Sequence, residues 1–193
     1  VPPQWASDPE TQKQVDNTAN LIHDLMNRSY KRQRAFDAIL ELSPEVIRRT
    51  PNQELLPLIL EFAMRKAPRC LYRLTDLKKL PVPVRRICVL DWLNGQVANG
   101  GFDKYFRYAS SKFVPSILEA CSALGLRPLA ALVKAAHRIE LRARNRRDRE
   151  PRFDPLDDRY YAMRDRIEAA QIRFIRKHPS LFSMGSRSGR TPS

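Results

Sequence analysis

Apolar residues return every three or four positions along almost the whole chain, and they almost never alternate one by one. That period belongs to amphipathic helices and leaves little room for a sheet. Asp8-Pro9-Glu10 reads as a helix start, followed by Val15, Ala19, Ile22 and Met26. Ala35 to Leu42 is a second, short helical pattern. Ser43-Pro44-Glu45 and Thr50-Pro51 open two more, the later one with an apolar face of Leu55, Leu58, Ile59, Phe62 and Ala63 that stops at Pro68. Leu71 to Leu80 is short, and Pro81-Val82-Pro83 reads as a linker-like break. From Val84 the series Ile87, Val89, Leu90, Leu93 and Val97 resumes the helical period. Phe113 to Leu124 is closed by Gly125, and Arg127 to about Arg147 turns Leu129, Val133 and Ala136 inward. Past the breakers Pro151 and Pro155, Tyr160, Met163, Ile167, Ala170 and Phe174 predict one last helix to about Lys177.

The run Ile87-Cys88-Val89-Leu90 has strand propensity, but its flanks keep helical spacing. The expected fold is therefore all-α, a single compact multi-helix domain over 10–182. A short arm at 1–9 precedes it, and a flexible Ser/Gly/Arg/Thr/Pro tail at 183–193 follows. A chain of 193 residues can bury about 70% of its unfolded surface without a disulfide or metal staple.

Several function classes find no residues to carry them. No run approaches the roughly 18–20 apolar residues of a membrane span, and the start lacks a basic-then-apolar signal pattern. The three cysteines, Cys70, Cys88 and Cys121, form no C-x-x-C pair, and their odd number suits a reducing cytoplasm. His23, His137 and His178 lie far apart with no ligand at i+3 or i+4, so neither a metal nor a cofactor is implied. G-x-S-x-G, P-loop and H-E-x-x-H motifs are absent. Asp91, Asp103 and His137 are the acid–base candidates left, and no spacing brings them together. Asp157-Asp158 directly precedes a helical stretch and suits that helix's positive N-terminus better than acid–base work. The chain is expected not to be an enzyme.

Charge is more informative by segment than in total. Against 21 Asp+Glu stand 35 Lys+Arg, a net charge of +14. Residues 44–86 and 126–153 each hold +6, while 87–125 are neutral. The earlier block comprises Arg65, Lys66, Arg69, Arg73, Lys78, Lys79, Arg85 and Arg86. In the later block Lys134, Arg138, Arg142 and Arg146 recur every four residues. On a helix they share one slowly drifting face, roughly 6 Å apart per step. Arg144, Arg147, Arg149 and Arg152 continue the block.

Such a ridge fits a polyanion, whether nucleic acid, nucleoprotein or acidic protein. It equally describes a solvated Arg-rich face with internal pairs such as Glu140 and Arg144. Aromatic residues for single-strand stacking are sparse beside it, with only Phe153 and Tyr160-Tyr161 near. Two functions follow. One is a non-enzymatic interaction protein that binds an acidic macromolecule, nucleic acid favoured, through its basic faces. The other is a protein–protein regulatory module that docks through apolar or aromatic surface, its cations merely solvated. A homo-oligomer is compatible with both.

The neutral segment carries the most specific motif. After Leu90-Asp91-Trp92-Leu93-Asn94-Gly95-Gln96-Val97-Ala98, the residues Asn99-Gly100-Gly101 suit a tight helix-to-helix corner through left-handed backbone. Phe102, Tyr105 and Phe106 then fall at i, i+3 and i+4, one aromatic face that docks the next helix into the core. This corner, followed by Ser110-Ser111, resembles the DNA-mimic-protein-like family of bacterial all-helical domains. The similarity runs over about residues 80–182. It continues through Ile117-Leu118-Glu119-Ala120, Ala123-Leu124-Gly125, Leu156-Asp157-Asp158-Arg159-Tyr160-Tyr161 and Phe174 to Phe182.

The resemblance implies a helical, non-catalytic interaction module in which Asn99, Gly100, Gly101 and Phe102 form a structural corner. Trp5 and Trp92 read as core or arm anchors. Gln96, Ala98, Lys104 and Tyr108 depart from the family's pattern while the apolar scaffold is kept. The family's name-giving behaviour is an acidic surface that imitates DNA, and a chain at +14 has the wrong sign for it.

Overall fold

Ser43 and Pro44 start a helix for the reasons their order suggests: the Ser43 hydroxyl accepts from the Val46 N–H at 3.2 Å, and the proline takes a first-turn place where no N–H is needed. The computed structural model describes residues 42–108, 111–145 and 152–182, with only the backbone of residues 144 and 145. They form helices α1 (Pro44–Arg49), α2 (Asn52–Lys66), α3 (Leu74–Leu77), α4 (Val82–Ala98), α5 (Gly101–Tyr108), α6 (Val114–Ala123), α7 (Arg127–Asn145), α8 (Asp154–Tyr161) and α9 (Arg164–Lys177). Single 3-10 turns occupy Ser111–Phe113 and Pro179–Leu181. Among the described residues there is no strand, and the fold is all-α. The arm at 1–9, the first two helical patterns and the tail at 183–193 lie outside the described residues.

Helix α4 is the hub. It packs against α2, α5, α6 and α8, and no residue from 83 to 97 is exposed. Val84, Ile87, Cys88, Val89, Leu90, Leu93 and Val97 are all buried, and the polar Arg85, Arg86, Asp91, Asn94 and Gln96 are half-buried around them. Gln171 of α9 reaches this core and donates to the Ile87 carbonyl at 3.3 Å. At the end of α6, Gly125 takes φ +71, the Leu126 N–H donates to the Cys121 carbonyl and the Gly125 N–H to Ser122. These paired bonds close the helix and return α7 against α6. Among the described residues, no helix is long and apolar enough to cross a membrane.

Three sequence expectations need correction. Pro81-Val82-Pro83 is not a break. Pro81 stands at the N-cap position of α4 and Pro83 in its first turn, where helix N–H groups have no intrahelical partner to lose. Pro155 likewise sits in the first turn of α8 rather than breaking the chain. The single helix expected from Tyr160 to Lys177 is two, parted where Met163 takes φ −110 and ψ 2. No Gly or Pro marks that place. The halves serve different neighbours: α8 packs on α4, α5 and α7, while α9 packs on α1 and α2.

Six-residue α1 is too short to persist alone, and Arg176 of α9 anchors it. The guanidinium donates to the carbonyls of Ile47 (2.5 Å), Arg48 (3.2 Å) and Thr50, and its Nε to Asn52 Oδ1 at 2.9 Å. A cation thus satisfies the open carbonyls at a helix C-terminus. Arg176→Ala is expected to cost about 2 kcal/mol, in the range of hydrogen bonds to charged groups. A lower urea midpoint at unchanged m-value would show it.

Candidate polyanion interface

Helix α7 has two distinct sides. Leu129, Leu132, Val133 and Ala136 are buried, and Lys134, Arg138 and Arg142 are exposed on the other face. Arg138 Nε donates to the Lys134 carbonyl at 3.3 Å, which lays its guanidinium along the helix. Between α6 and α7 runs a groove of about 410 Å³, lined by Leu118, Cys121, Ser122, Arg127, Ala130, Ala131, Lys134 and Arg138. Three of its lining residues are cations and none is a carboxylate.

Among the described residues, no carboxylate comes within 4 Å of Arg127, Lys134, Arg138 or Arg142. Arg127 was not among the sequence candidates. Its spacing of seven and eleven residues from Lys134 and Arg138 was the available sign. Burial pushes the Cys121 thiol up to about 12, so the groove offers no thiolate nucleophile. Arg152 is exposed just before α8. The side chain of Arg144 and residues Arg146, Arg147 and Arg149 lie outside the described residues.

The earlier basic block is different in kind. Arg65 pairs with Glu61 at 2.8 Å, Lys79 with Asp76, and Arg86 with Glu119 at 3.0 Å. Lys66 stands over the Phe62 ring at 5.9 Å. Lys79, then Arg73 and Arg69, hold the Asp76 carboxyl below its ordinary range. Arg69, Arg73 and Lys78 are exposed, and Arg85 and Arg86 half-buried. Much of this block is thus matched locally, whereas Arg127, Lys134, Arg138 and Arg142 have no carboxylate partner among the described residues.

The neutral corner turns inward. Gly101 has φ +68, and a Cβ there would lie 2.2 Å from Asp157 Oδ2. The Phe102 N–H donates to Asp157 Oδ1 at 2.8 Å. One helical face of α8 completes the clamp: the Tyr160 hydroxyl donates to Asn94 Oδ1 at 3.3 Å and the Tyr161 hydroxyl to the Val97 carbonyl at 2.9 Å. Phe153 packs on Phe102 and Phe106, with centroids 6.2 and 5.8 Å away. Phe102, Tyr105 and Phe106 are buried together.

The left-handed turn expected over Asn99-Gly100-Gly101 is concentrated at Gly101. Asn99 has φ −92 and secures the end of α4 through its side chain, which donates to the Gly95 carbonyl at 2.7 Å. Asp157 does lie in the first turn of its own helix, but its carboxylate caps α5 instead. Burial pushes that carboxyl up. The Phe102 N–H opposes the shift, and Asp154, Asp158 and Asp103 add to it.

The acid–base candidates occupy separate surroundings. Burial, then Glu168, pushes the half-buried Asp91 carboxyl up. Asp103 pairs with Arg107 at 2.7 Å, and His137 stacks on Phe106 at 6.1 Å. Among the described residues, no group of His, Cys, Asp and Glu could hold a metal ion.

Residues 78–178 match the model of the family described as DMP19-like protein. No curated protein and no solved structure matches the chain.

The clamp yields a pair of expected outcomes. Gly101→Ala should lose at least about 1–2 kcal/mol from the left-handed backbone alone, and more from the contact with Asp157. Because the folded Asp157 pKa is raised, its contribution is fullest below the unfolded value of about 4 and declines as pH rises through the folded value. Asp157→Asn keeps an acceptor for the Phe102 N–H without the charge, so urea unfolding from pH ~4 to ~6 should show a flatter stability profile.

Proposed function

The chain belongs to the family of DMP19-like proteins, and from that premise we propose that it is a non-enzymatic interaction protein that binds a polyanion, nucleic acid first, through the exposed face of α7. The observation that carries the reading is the α6–α7 groove, where Arg127, Lys134 and Arg138 converge without a carboxylate among the lining residues. A nucleic acid carries a condensed atmosphere of cations, and protein cations held together without counter-charge displace it from the phosphates with a gain in entropy. Arg142, one turn beyond Arg138, extends the face.

A DNA mimic needs the opposite charge, so the sign of +14 separates this chain from that behaviour. Docking through apolar surface has less support. The exposed large apolar side chains among the described residues are Met64, Tyr72, Val82, Tyr108, Leu141, Tyr161 and Leu181, six on different elements and Tyr72 in the turn after α2. Single exposed residues of this kind do not make a patch. The buried, unpaired thiols Cys70, Cys88 and Cys121 suit a cytoplasmic setting.

Fluorescence anisotropy with labelled duplex and single-stranded DNA tests the reading. Binding is expected at ~50 mM salt, weakening linearly in log affinity against log salt. Changing Lys134, Arg138 and Arg142 together to Glu should abolish duplex binding or flatten its salt slope by about 0.9 per lost phosphate contact. Absence of binding by the wild-type protein, or an unaffected triple variant, would sink it.

A further inference from the structure

We infer that the turn between α2 and α3 is a stacking platform for single-stranded nucleic acid, formed by Tyr72 braced on Trp92 and flanked by Arg69 and Arg73. It is a surface separate from the α7 groove and goes beyond the polyanion reading.

The turn is rigidly made. Ala67 caps α2, and Pro68 forbids its continuation. The Cys70 N–H then donates to the Ala67 carbonyl at 2.8 Å, and the N–H groups of Tyr72 and Arg73 both donate to the Arg69 carbonyl at 2.9 and 2.8 Å. Cys70 and, five residues before α4, Leu77 are buried beneath the segment. Arg69, Tyr72 and Arg73 face water, and Tyr72 is 66% exposed. That is unusual for an aromatic ring that has a hydrophobic neighbour to lie on.

The neighbour is Trp92, half-buried on α4, whose ring meets Tyr72 edge-on with centroids 5.3 Å apart and planes at 70°. The contact restrains the tyrosine while leaving most of its ring free, so little rotamer freedom is left to lose on binding. The indole Nε1–H is buried, with no acceptor among the described residues.

Charge selects the ligand class. Of the six cations in residues 65–79, Arg65 pairs with Glu61 and Lys79 with Asp76, and Arg69 and Arg73 stand exposed next to Tyr72 in the turn. An uncharged aromatic or apolar partner would use the ring and waste the cations; a bare polyanion would use the cations and waste the ring. A nucleotide in a single strand offers both a base face and a phosphate. In a duplex the base faces are already stacked, so Tyr72 has nothing to meet.

Anisotropy with an oligothymidylate of about 15 nucleotides and a duplex of equal length tests this with the full chain. Tyr72→Ala is expected to weaken the single strand by about tenfold or more, the range of one lost base stack, and to leave duplex affinity unchanged. Tyr72→Phe, which keeps the ring, should bind as the wild type does. In a Trp5→Phe background, Trp92 emission should be quenched by the oligothymidylate and not by the duplex. Wild-type affinity for the single strand in Tyr72→Ala, or an equal loss on the duplex, overturns the platform while leaving the α7 reading intact. Binding to neither nucleic acid by the wild-type chain overturns both.

Discussion

The bond from the Phe102 N–H to the Asp157 carboxylate is the constraint on which the corner depends. Helix α5 has eight residues and would not persist alone. Its N-terminus follows α4 with only Asn99 and Gly100 between, leaving no room for a capping segment of its own. The cap comes from α8, 55 residues further along the chain. Glycine at 101 follows from that choice, because the carboxylate fills the place of a Cβ. Once α8 is seated, Tyr160 and Tyr161 reach the last turns of α4, and Phe153 closes over the aromatic face of α5. The Asn99-Gly100-Gly101-Phe102 corner therefore works inside the protein.

That placement explains the distribution of charge. The segment 87–125 is neutral because α4 is enclosed and the corner uses its polar groups on backbone. Cations are left to outward faces, and there they divide. Pairs such as Arg65–Glu61 and Arg86–Glu119 are exposed enough to add little stability, but they lower the positive potential around them. Arg127, Lys134, Arg138 and Arg142 have no such neighbours among the described residues. What the chain presents to a partner is set less by its total of +14 than by which cations the fold leaves unmatched.

Period and punctuation made much of this legible beforehand. The buried faces of α2, α4 and α7 follow directly from apolar spacing, and Ser43-Pro44 and Gly125 mark true helix ends. Prolines misled at 81–83 and 155, where the same ring that breaks a helix interior is harmless in a first turn. The break at Met163 carried no local sign because it is imposed by neighbours, α8 serving the corner and α9 serving α1 and α2. Asp157 shows the same limit. Its carboxylate could be placed near a helix N-terminus from spacing, but which helix was a long-range fact. Tyr72 and Trp92 are twenty residues apart, and only folding makes them neighbours.

An internal clamp of this kind separates what keeps the fold from what meets a partner. A substitution on the outer face of α7 touches neither Asp157 nor the buried wall of α4, so surface charge can change sign while the helices stay in register. Shared architecture then says little about shared ligand, and the site must be read from its own side chains. On the proposed reading those side chains are of two kinds: a row of α7 cations with no carboxylate partner among the described residues, suited to any phosphate backbone, and an aromatic ring among cations beside α2, suited only to a backbone whose bases are free. One surface would supply affinity and the other would discriminate, a division of labour that a uniformly charged face could not provide.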